Sequence, residues 1–547
     1  GNMAQLADEI LAALDPEQRA VATAVRGPVC VIAGAGTGKT RAITHRLAYA
    51  VDIGIVEPNR ILALTFTARA AGEMRARLRT LGVPAIAART FHAAALKQLL
   101  YFWPEALGGR FPSLLTSKSA FLGEALDRAG VTITKSPATL REISSEIEWA
   151  KVLQIPSDEY VEAALSNNRL IRSTATKSKL NLEDIARTYE SYETLKRQER
   201  AIDFEDVLLL TVGMLEEVKE IRDRVRDQYR YFTVDEYQDV SPLQQRLLDL
   251  WLGKRSDICV VGDPAQTIYS FAGATPSFLL NFTKRFPEAE VIRLSAGYRS
   301  TPEIINIANA ILRSGDLGHD LDAVNEHGDQ PETSGFSSES EELISIVDAI
   351  RSKISSGVKA HEIAVLARTN AQLEDLEKAL AGAGIENQIR TAERFFERGD
   401  VRAMISAIRS ASVLATSDWL SELRDLLKQF GEGDKYVRSI IQLAQELIND
   451  GVDSMRAFLR ELEERAEQNN PPDLPGVTLA TLHSAKGLEW EYVYLVGASA
   501  RYLPWPGSSV DEERRLFYVG VTRAKRELNL SYAGEASPFI ASAGLAV

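Results

Sequence analysis

A chain of 547 residues, 45% of them hydrophobic and 25% charged, exceeds the roughly 250–300 residues at which one apolar core stops growing, so several domains are expected. No apolar run reaches the roughly 20 residues that a helical bilayer crossing demands, so a cytoplasmic protein without membrane partners is expected. With 63 basic and 76 acidic residues, the net charge is −13; the overall field cannot hold nucleic acid, and any such partner must sit in a local groove.

The start, Gly1-Asn2-Met3, lacks the basic region and apolar stretch of a signal peptide, and Gly1-Asn2 reads as an expression remnant. The first β-rich run is VCVIAG (29–34). It contains Cys30, and the only other cysteine, Cys259, lies in the similar run ICVVGD (258–263). Both are expected to be buried and inert; two cysteines suit a reducing compartment and cannot build a four-cysteine zinc site. Next comes AGAGTGKT (33–40), which matches GxxxxGK[ST] with Ala33 in place of the first glycine. A buried strand precedes it and a helix-compatible stretch follows, so Ala33, Gly34, Ala35, Gly36, Thr37, Gly38, Lys39 and Thr40 are predicted to cradle the phosphates of a nucleoside triphosphate. Gly36 and Gly38 permit close approach, Lys39 reaches the β- and γ-phosphates, and the Thr40 hydroxyl coordinates Mg2+.

Further along, ILALTF (61–66) and a short strand near 85–89 precede a long stretch of helical spacing, from Phe91 to about Arg200, that looks inserted. YFTVDEYQD (231–239) then offers a strand ending in carboxylates. Asp235 is assigned to the metal side and Glu236 to the base that orients and deprotonates the attacking water. ICVVGD closes a first set of strands. A second set follows: EVIRLS (290–295), IAVLAR (363–368), VTLATLH (477–483), YVYLVG (492–497) and ELNLSY (527–532). Within it, Asp322 to Glu342 and EQNNPPDLPG (467–476) read as linkers or surface loops, and residues 401 to about 470 as a second helical insertion. The alternation predicts an α/β protein with two parallel-sheet cores flanked by helices and two mainly helical insertions.

The residues at this point resemble superfamily 1A DNA helicases of the UvrD, Rep and PcrA family, whose Walker B element reads DExxQD. Other motifs follow in the family's order: LDPEQRA (14–20), LTFTARAAGEM (64–74), ARTFHAAAL (88–96), DFEDVL (203–208), VVGDPAQTIYSFAGA (260–274), AGYRSTPEII (296–305), LARTNAQ (366–372), TLHSAKGLEW (481–490) and DEERRLFYVGVTRAKREL (511–528). The resemblance spans nearly the whole chain. It implies RecA-like P-loop NTPase cores at residues 1–93 with 200–287 (1A) and 288–400 with 474–547 (2A), and insertions at 94–199 (1B) and 401–473 (a reduced 2B). It further implies ATP with Mg2+ as the nucleotide, Gln18 on adenine, Tyr298 stacked upon it, Arg41 alongside, and Glu489 on the ribose. Gln266 would sense the γ-phosphate, and Arg299 and Arg523, both assigned to the second core, would clamp it.

A single-strand track needs aromatic faces for bases and polar groups for phosphates. Phe66, Phe204, Tyr269 and Phe271 are the expected platforms, and Thr65, Thr90, His92, Arg368, Asn370, His483 and Ser484 the expected backbone contacts. Two departures stand out: Phe271-Ala272 replaces the family's Trp-Arg, and Gly297 replaces an Asn. The second insertion is much shorter than the family's 2B subdomain, which speaks against duplex unwinding by the monomer, and the end of the chain soon after the last motif suggests a shortened form of a longer protein, of the actinobacterial UvrD-like type. The reading is an ATP-dependent DNA helicase or translocase in repair or replication. It would bind single-stranded DNA and single/double-strand junctions, with repair or replication proteins as partners and the 3′-to-5′ polarity that the resemblance implies. A protein-stripping translocase and an ATP-gated DNA-binding module with little turnover stand as rivals.

Overall fold

The computed structural model describes residues 3–115, 118–169 and 180–547; Gly1 and Asn2, read above as a remnant, lie outside them. Its strands are β1 (Val29–Ala33), β2 (Ile61–Thr65), β3 (Ala87–Thr90), the short β4 (Ser113–Leu114) and β5 (Ala201–Ile202), β6 (Tyr231–Val234), β7 (Ile258–Gly262) and β8 (Glu290–Leu294). After these come β9 (Ala296–Gly297), β10 (Asp322–Ala323), β11 (Glu332–Phe336), β12 (Ile363–Ala367), β13 (Asn387–Ile389), β14 (Val477–Thr481), β15 (Trp490–Leu495) and β16 (Ala524–Ala533).

Two six-stranded sheets result, ordered β3-β2-β6-β7-β1-β8 and β11-β16-β15-β12-β14-β13. Helices cover both faces of each sheet, which is why the central strands are continuous apolar runs instead of alternating ones. In the first sheet, Leu62, Phe232 and Val260 pack on helices Phe91–Ala106, Phe204–Glu217 and Pro242–Leu252, while Val31, Ala63 and Val261 pack on helices Lys39–Asp52 and Ala68–Thr80. Cys30 and Cys259 fall on opposite faces of that sheet as buried free thiols. In the second sheet, Leu366 and Leu495 face helices Pro302–Gly315 and Val510–Val521, and Val365 and Leu479 face helices Glu339–Ser355 and Asn370–Gly382. Each insertion has an apolar cluster of its own, one including Leu122, Trp149 and Tyr192, the other Met404, Trp419, Leu443 and Phe458. Among the described residues no helix is long and apolar enough to cross a membrane.

Three expectations need correction. EVIRL was expected in the second sheet, yet β8 is the edge strand of the first, in parallel register with β1 from Val29↔Glu290 to Ala33↔Leu294. The crossover between sheets therefore falls just after Leu294. Helix Phe91–Ala106 was read as the start of the first insertion, but Phe91, Ala95, Leu99 and Phe102 belong to the first sheet's apolar cluster. The stretch Asp322–Glu342, read as linker, contains β10, β11 and the start of helix Glu339–Ser355. β11 pairs with β16 at a sheet edge, where small and polar residues with partial exposure suffice.

Candidate functional site

The phosphate-binding loop leaves β1 and enters helix Lys39–Asp52 through Gly36 and Gly38, at φ 71° and 73°. Left-handed backbone favours glycine, and the space does too. A Cβ on Gly36 would stand 2.7 Å from Arg299 Cβ, and one on Gly38 2.5 Å from Gln18 Nε2. Thr37 braces the turn by donating from Oγ1 to the Gly34 carbonyl at 2.8 Å. Across from the loop, Asp235 is buried at the end of β6. Its Oδ1 accepts the Glu236 N–H at 2.8 Å and lies 3.4 Å from Lys39 Nζ. Glu236 has φ 52°; it pairs with Lys39 and accepts from Gln238 Nε2 at 2.5 Å. Burial pushes the Lys39 ammonium below its usual pKa, opposed by Asp235. A hydroxyl at Thr40, a buried carboxylate at Asp235 and a glycine cradle that a side chain would fill are the hard-oxygen set and the space that a Mg2+–triphosphate requires.

The loop's other wall comes from the second half of the chain. Tyr298 N–H donates to the Gly36 carbonyl at 2.8 Å, and the Tyr298 hydroxyl bonds Asp15. Arg299 donates to Glu489 Oε2 at 2.6 Å and to the Thr522 carbonyl at 2.9 Å. Although burial pushes the Glu489 carboxyl up, Arg299 and Lys525 hold it below its ordinary value. Arg523 is fully buried, and burial, together with the charge of Arg299, drives its guanidinium well below the normal range. Its Nη2 lies 3.3 Å from Gln266 Oε1, while Gln266 Nε2 donates to Asp263 at 2.9 Å, so Gln266 bridges the end of β7 to Arg523. Gln18 donates to the Thr37 and Gly38 carbonyls at 3.3 and 3.5 Å, and Arg41 reaches the Ala13 carbonyl at 2.7 Å. The nucleotide candidates thus converge on one place. Arg299 follows β8 by a few residues, on the crossover, and its guanidinium is fastened to Glu489 and Thr522 of the second half.

A cleft of about 1450 Å3 opens between the two halves and both insertions, with Glu236, Asp239 and Lys486 on its wall toward the phosphate loop. Phe66, His92, Phe204, Tyr269, Phe271, Asn370, His483 and Ser484 line it. His92 and Phe204 stack at 3.7 Å with rings 4° apart, and burial holds the imidazole neutral down to a pKa of about 3. Tyr269 donates to the His483 carbonyl at 2.9 Å, and Phe271 meets the His483 ring edge-on at 5.5 Å, so aromatic groups from both sheets meet there. Three candidates do not line it. Thr65 is buried. Thr90 caps helix Phe91–Ala106 through Ala93 N–H and bonds Glu464. Arg368 is taken up by Glu513 at 2.9 and 3.2 Å. Carboxylates outnumber cations around the cleft, so aromatic faces, more than positive charge, mark its wall.

Several participants escaped sequence reasoning. Lys486 donates to Asp239 at 2.6 Å and to the Gln266 carbonyl at 2.7 Å, tying the second half to the first beside the phosphate loop. Arg169, buried in the first insertion, pairs with Glu146 at 2.6 Å and donates to the Phe271 carbonyl at 2.9 Å. Neither link could be found from spacing, because the partners lie far apart in the chain. Among the described residues, the one carboxylate grouping with metal-like spacing is Glu193, Asp203 and Asp206. Lys151 and Lys196 lie between 2.5 and 3.1 Å from its oxygens, which makes it a buried ion cluster.

The family model for the UvrD/REP helicase N-terminal domain matches residues 14–287, and that for the UvrD-like helicase C-terminal domain matches residues 292–424 and 415–535. The ATP-dependent DNA helicase UvrD2 of Mycobacterium tuberculosis (strain ATCC 25618 / H37Rv) is 42% identical over 575 residues, covering 98% of this chain and 81% of the relative. The ATP-dependent DNA helicase PcrA of Staphylococcus aureus (strain Mu50 / ATCC 700699) is 26% identical over 622 residues, with coverages of 95% and 83%.

Proposed function

The chain belongs to the UvrD/REP helicase family, and from that premise we propose that this ATP-dependent DNA helicase moves along single-stranded DNA by opening and closing the space between its two sheets around Mg2+-ATP. The observation that carries the reading is the meeting of the Gly36–Thr40 turn with Tyr298, Arg299 and Arg523 in one pocket. Lys39 receives the β- and γ-phosphates, and Thr40 and Asp235 would hold Mg2+, which would supply charge neutralisation at the phosphate oxygens. Glu236 takes the proton of the attacking water. Arg299 and Arg523 neutralise the charge that develops on the γ-phosphate, and Gln266 and Lys486 relay the state of that pocket to the cleft. Tyr298 and Gln18 receive the base, and Glu489 the ribose. The strand lies in the cleft with bases on Phe66, Phe204, Tyr269 and Phe271. The enzyme acts in the cytoplasm, in DNA repair or replication, with 3′-to-5′ polarity at single/double-strand junctions.

The test is ATP hydrolysis with and without oligo(dT), joined to unwinding of duplexes carrying 3′ or 5′ tails. Stimulation by oligo(dT) with unwinding from the 3′ tail is expected. Hydrolysis unchanged by DNA overturns the motor reading in favour of an ATP-gated binding module, and DNA-stimulated movement without strand separation favours a protein-stripping translocase.

A further inference from the structure

The groups best suited to receive a strand's phosphates from the first core are already bonded, within the chain, to one helix of the second insertion. Helix Ala68–Thr80 starts beside Phe66, and its first N–H, from Ala68, is among those that no intrahelical carbonyl can satisfy. Helix Phe91–Ala106 starts at Thr90, whose Oγ1 accepts from Ala93 N–H and so has its hydroxyl proton free to donate. Free amides at helix starts and threonine hydroxyls are the usual donors to phosphodiester oxygens.

Both donors are taken by helix Met455–Glu467 and the residue after it. Gln468 Oε1 accepts from Ala68 N–H at 2.8 Å. Glu464 accepts from the Thr90 hydroxyl. Gln468 Nε2 then donates to Glu464 Oε1 at 3.0 Å, which joins the two contacts into one chain of hydrogen bonds. The attachment is reinforced at its margins: Arg79 bonds Asp450 at 2.6 Å, and Arg69 bonds Asp473 at 3.1 Å. Glu464 is buried, with 5% of its surface exposed. It also lines the cleft beside Phe66 and His92.

We infer that Glu464, with Gln468, is an internal stand-in for a DNA phosphate, an autoinhibitory latch that a strand must displace from Thr90 and Ala68 before it can settle in the cleft. The inference rests on the DNA-binding role proposed above for that cleft. A carboxylate and a phosphodiester compete for the same donors, and burial leaves no room for both. Loading of the strand is thereby coupled to release of helix Met455–Glu467 from the first core, and the second insertion becomes a gate on the track.

The experiment measures anisotropy of labelled oligo(dT) at fixed salt and pH for the full chain and four variants. Glu464→Ala is expected to bind roughly tenfold more tightly, the scale of one hydrogen bond to a charged group. Glu463→Ala removes the neighbouring carboxyl group, paired with Arg409, from the same cleft without touching Thr90, and is expected to change binding by about twofold or less. Thr90→Val in the Glu464→Ala background should abolish the gain, and Thr90→Ser should retain it. Equal gains from Glu464→Ala and Glu463→Ala overturn the latch in favour of simple charge removal, as does a gain that survives Thr90→Val. Tight binding by the parent protein with no gain from Glu464→Ala defeats the latch alone. Absence of binding by the parent and by Glu464→Ala defeats the DNA reading and the latch together.

Discussion

Replacing Glu236 with Gln changes one atom and removes one charge, so it isolates the proton-accepting step from folding and nucleotide binding. The side chain is 23% exposed and its partner Lys39 is 21% exposed. A partly solvated pair of that kind contributes about 1 kcal/mol or less, and the fold should tolerate its loss. Asp235 remains 3.4 Å from Lys39 Nζ, so the lysine keeps a carboxylate neighbour, and the new amide oxygen can still accept from Gln238. The loss should therefore fall on chemistry. General-base catalysis is worth about 10²- to 10⁴-fold, or about 2.7–5.4 kcal/mol at roughly 1.36 kcal/mol per tenfold. Steady-state hydrolysis at saturating ATP and oligo(dT) should show that drop in kcat, while a fluorescent ATP analogue binds with its affinity changed less than about threefold. A fall in kcat smaller than about tenfold, or loss of nucleotide binding in step with kcat, would refute the assignment of Glu236 as the base.

Three further outcomes follow from the geometry. Gly36→Ala forces a side chain onto a φ of 71° and against Arg299 Cβ; about 1–2 kcal/mol of strain is expected, seen as a higher KM for ATP with a lower Tm, and unchanged values would contradict the described contact. Arg169→Gln removes the donor to the Phe271 carbonyl and the ion pair with Glu146; the concentration of oligo(dT) giving half-maximal ATPase should rise several-fold, Arg169→Lys should recover part of it, and DNA-free hydrolysis should stay within about twofold. Burial, with Glu461 beside it, pushes Glu464 up to about 7, and burial does the same to Glu467 despite Lys118. Both groups lose their charge as pH falls through 7, so oligo(dT) affinity should increase from pH 8 to pH 6. Glu464→Gln should flatten that profile, and an equally steep profile in the variant would remove Glu464 as its source.

The geometry of the candidate nucleotide pocket was legible because its parts are local. A buried strand, a glycine turn and a helix start are contiguous from Val29 to Asp52, and Asp235-Glu236 ends a strand whose apolar run is equally visible. Pairing was harder, since a strand's sheet is chosen by its neighbour. EVIRL looks the same whether it joins β1 or a strand of the second set, and only the register with Val29–Ala33 decides it. β11 was hidden because an edge strand needs no apolar run. The cleft was half legible. Phe66, Phe204, Tyr269 and Phe271 lie on its wall, but the capture of Arg368 by Glu513 and of Thr90 by Glu464 joins residues distant in the chain, and nothing in their local sequence encodes those partners.

The placement of β8 has a mechanical corollary. Four residues beyond its end, Tyr298 is hydrogen-bonded to the phosphate turn, while the next residues, Arg299 and Ser300, are fastened to the carbonyls of Thr522 and Ala524. The two halves are thus joined at the phosphate turn itself, and a change in that turn is met at once by the joint between the sheets.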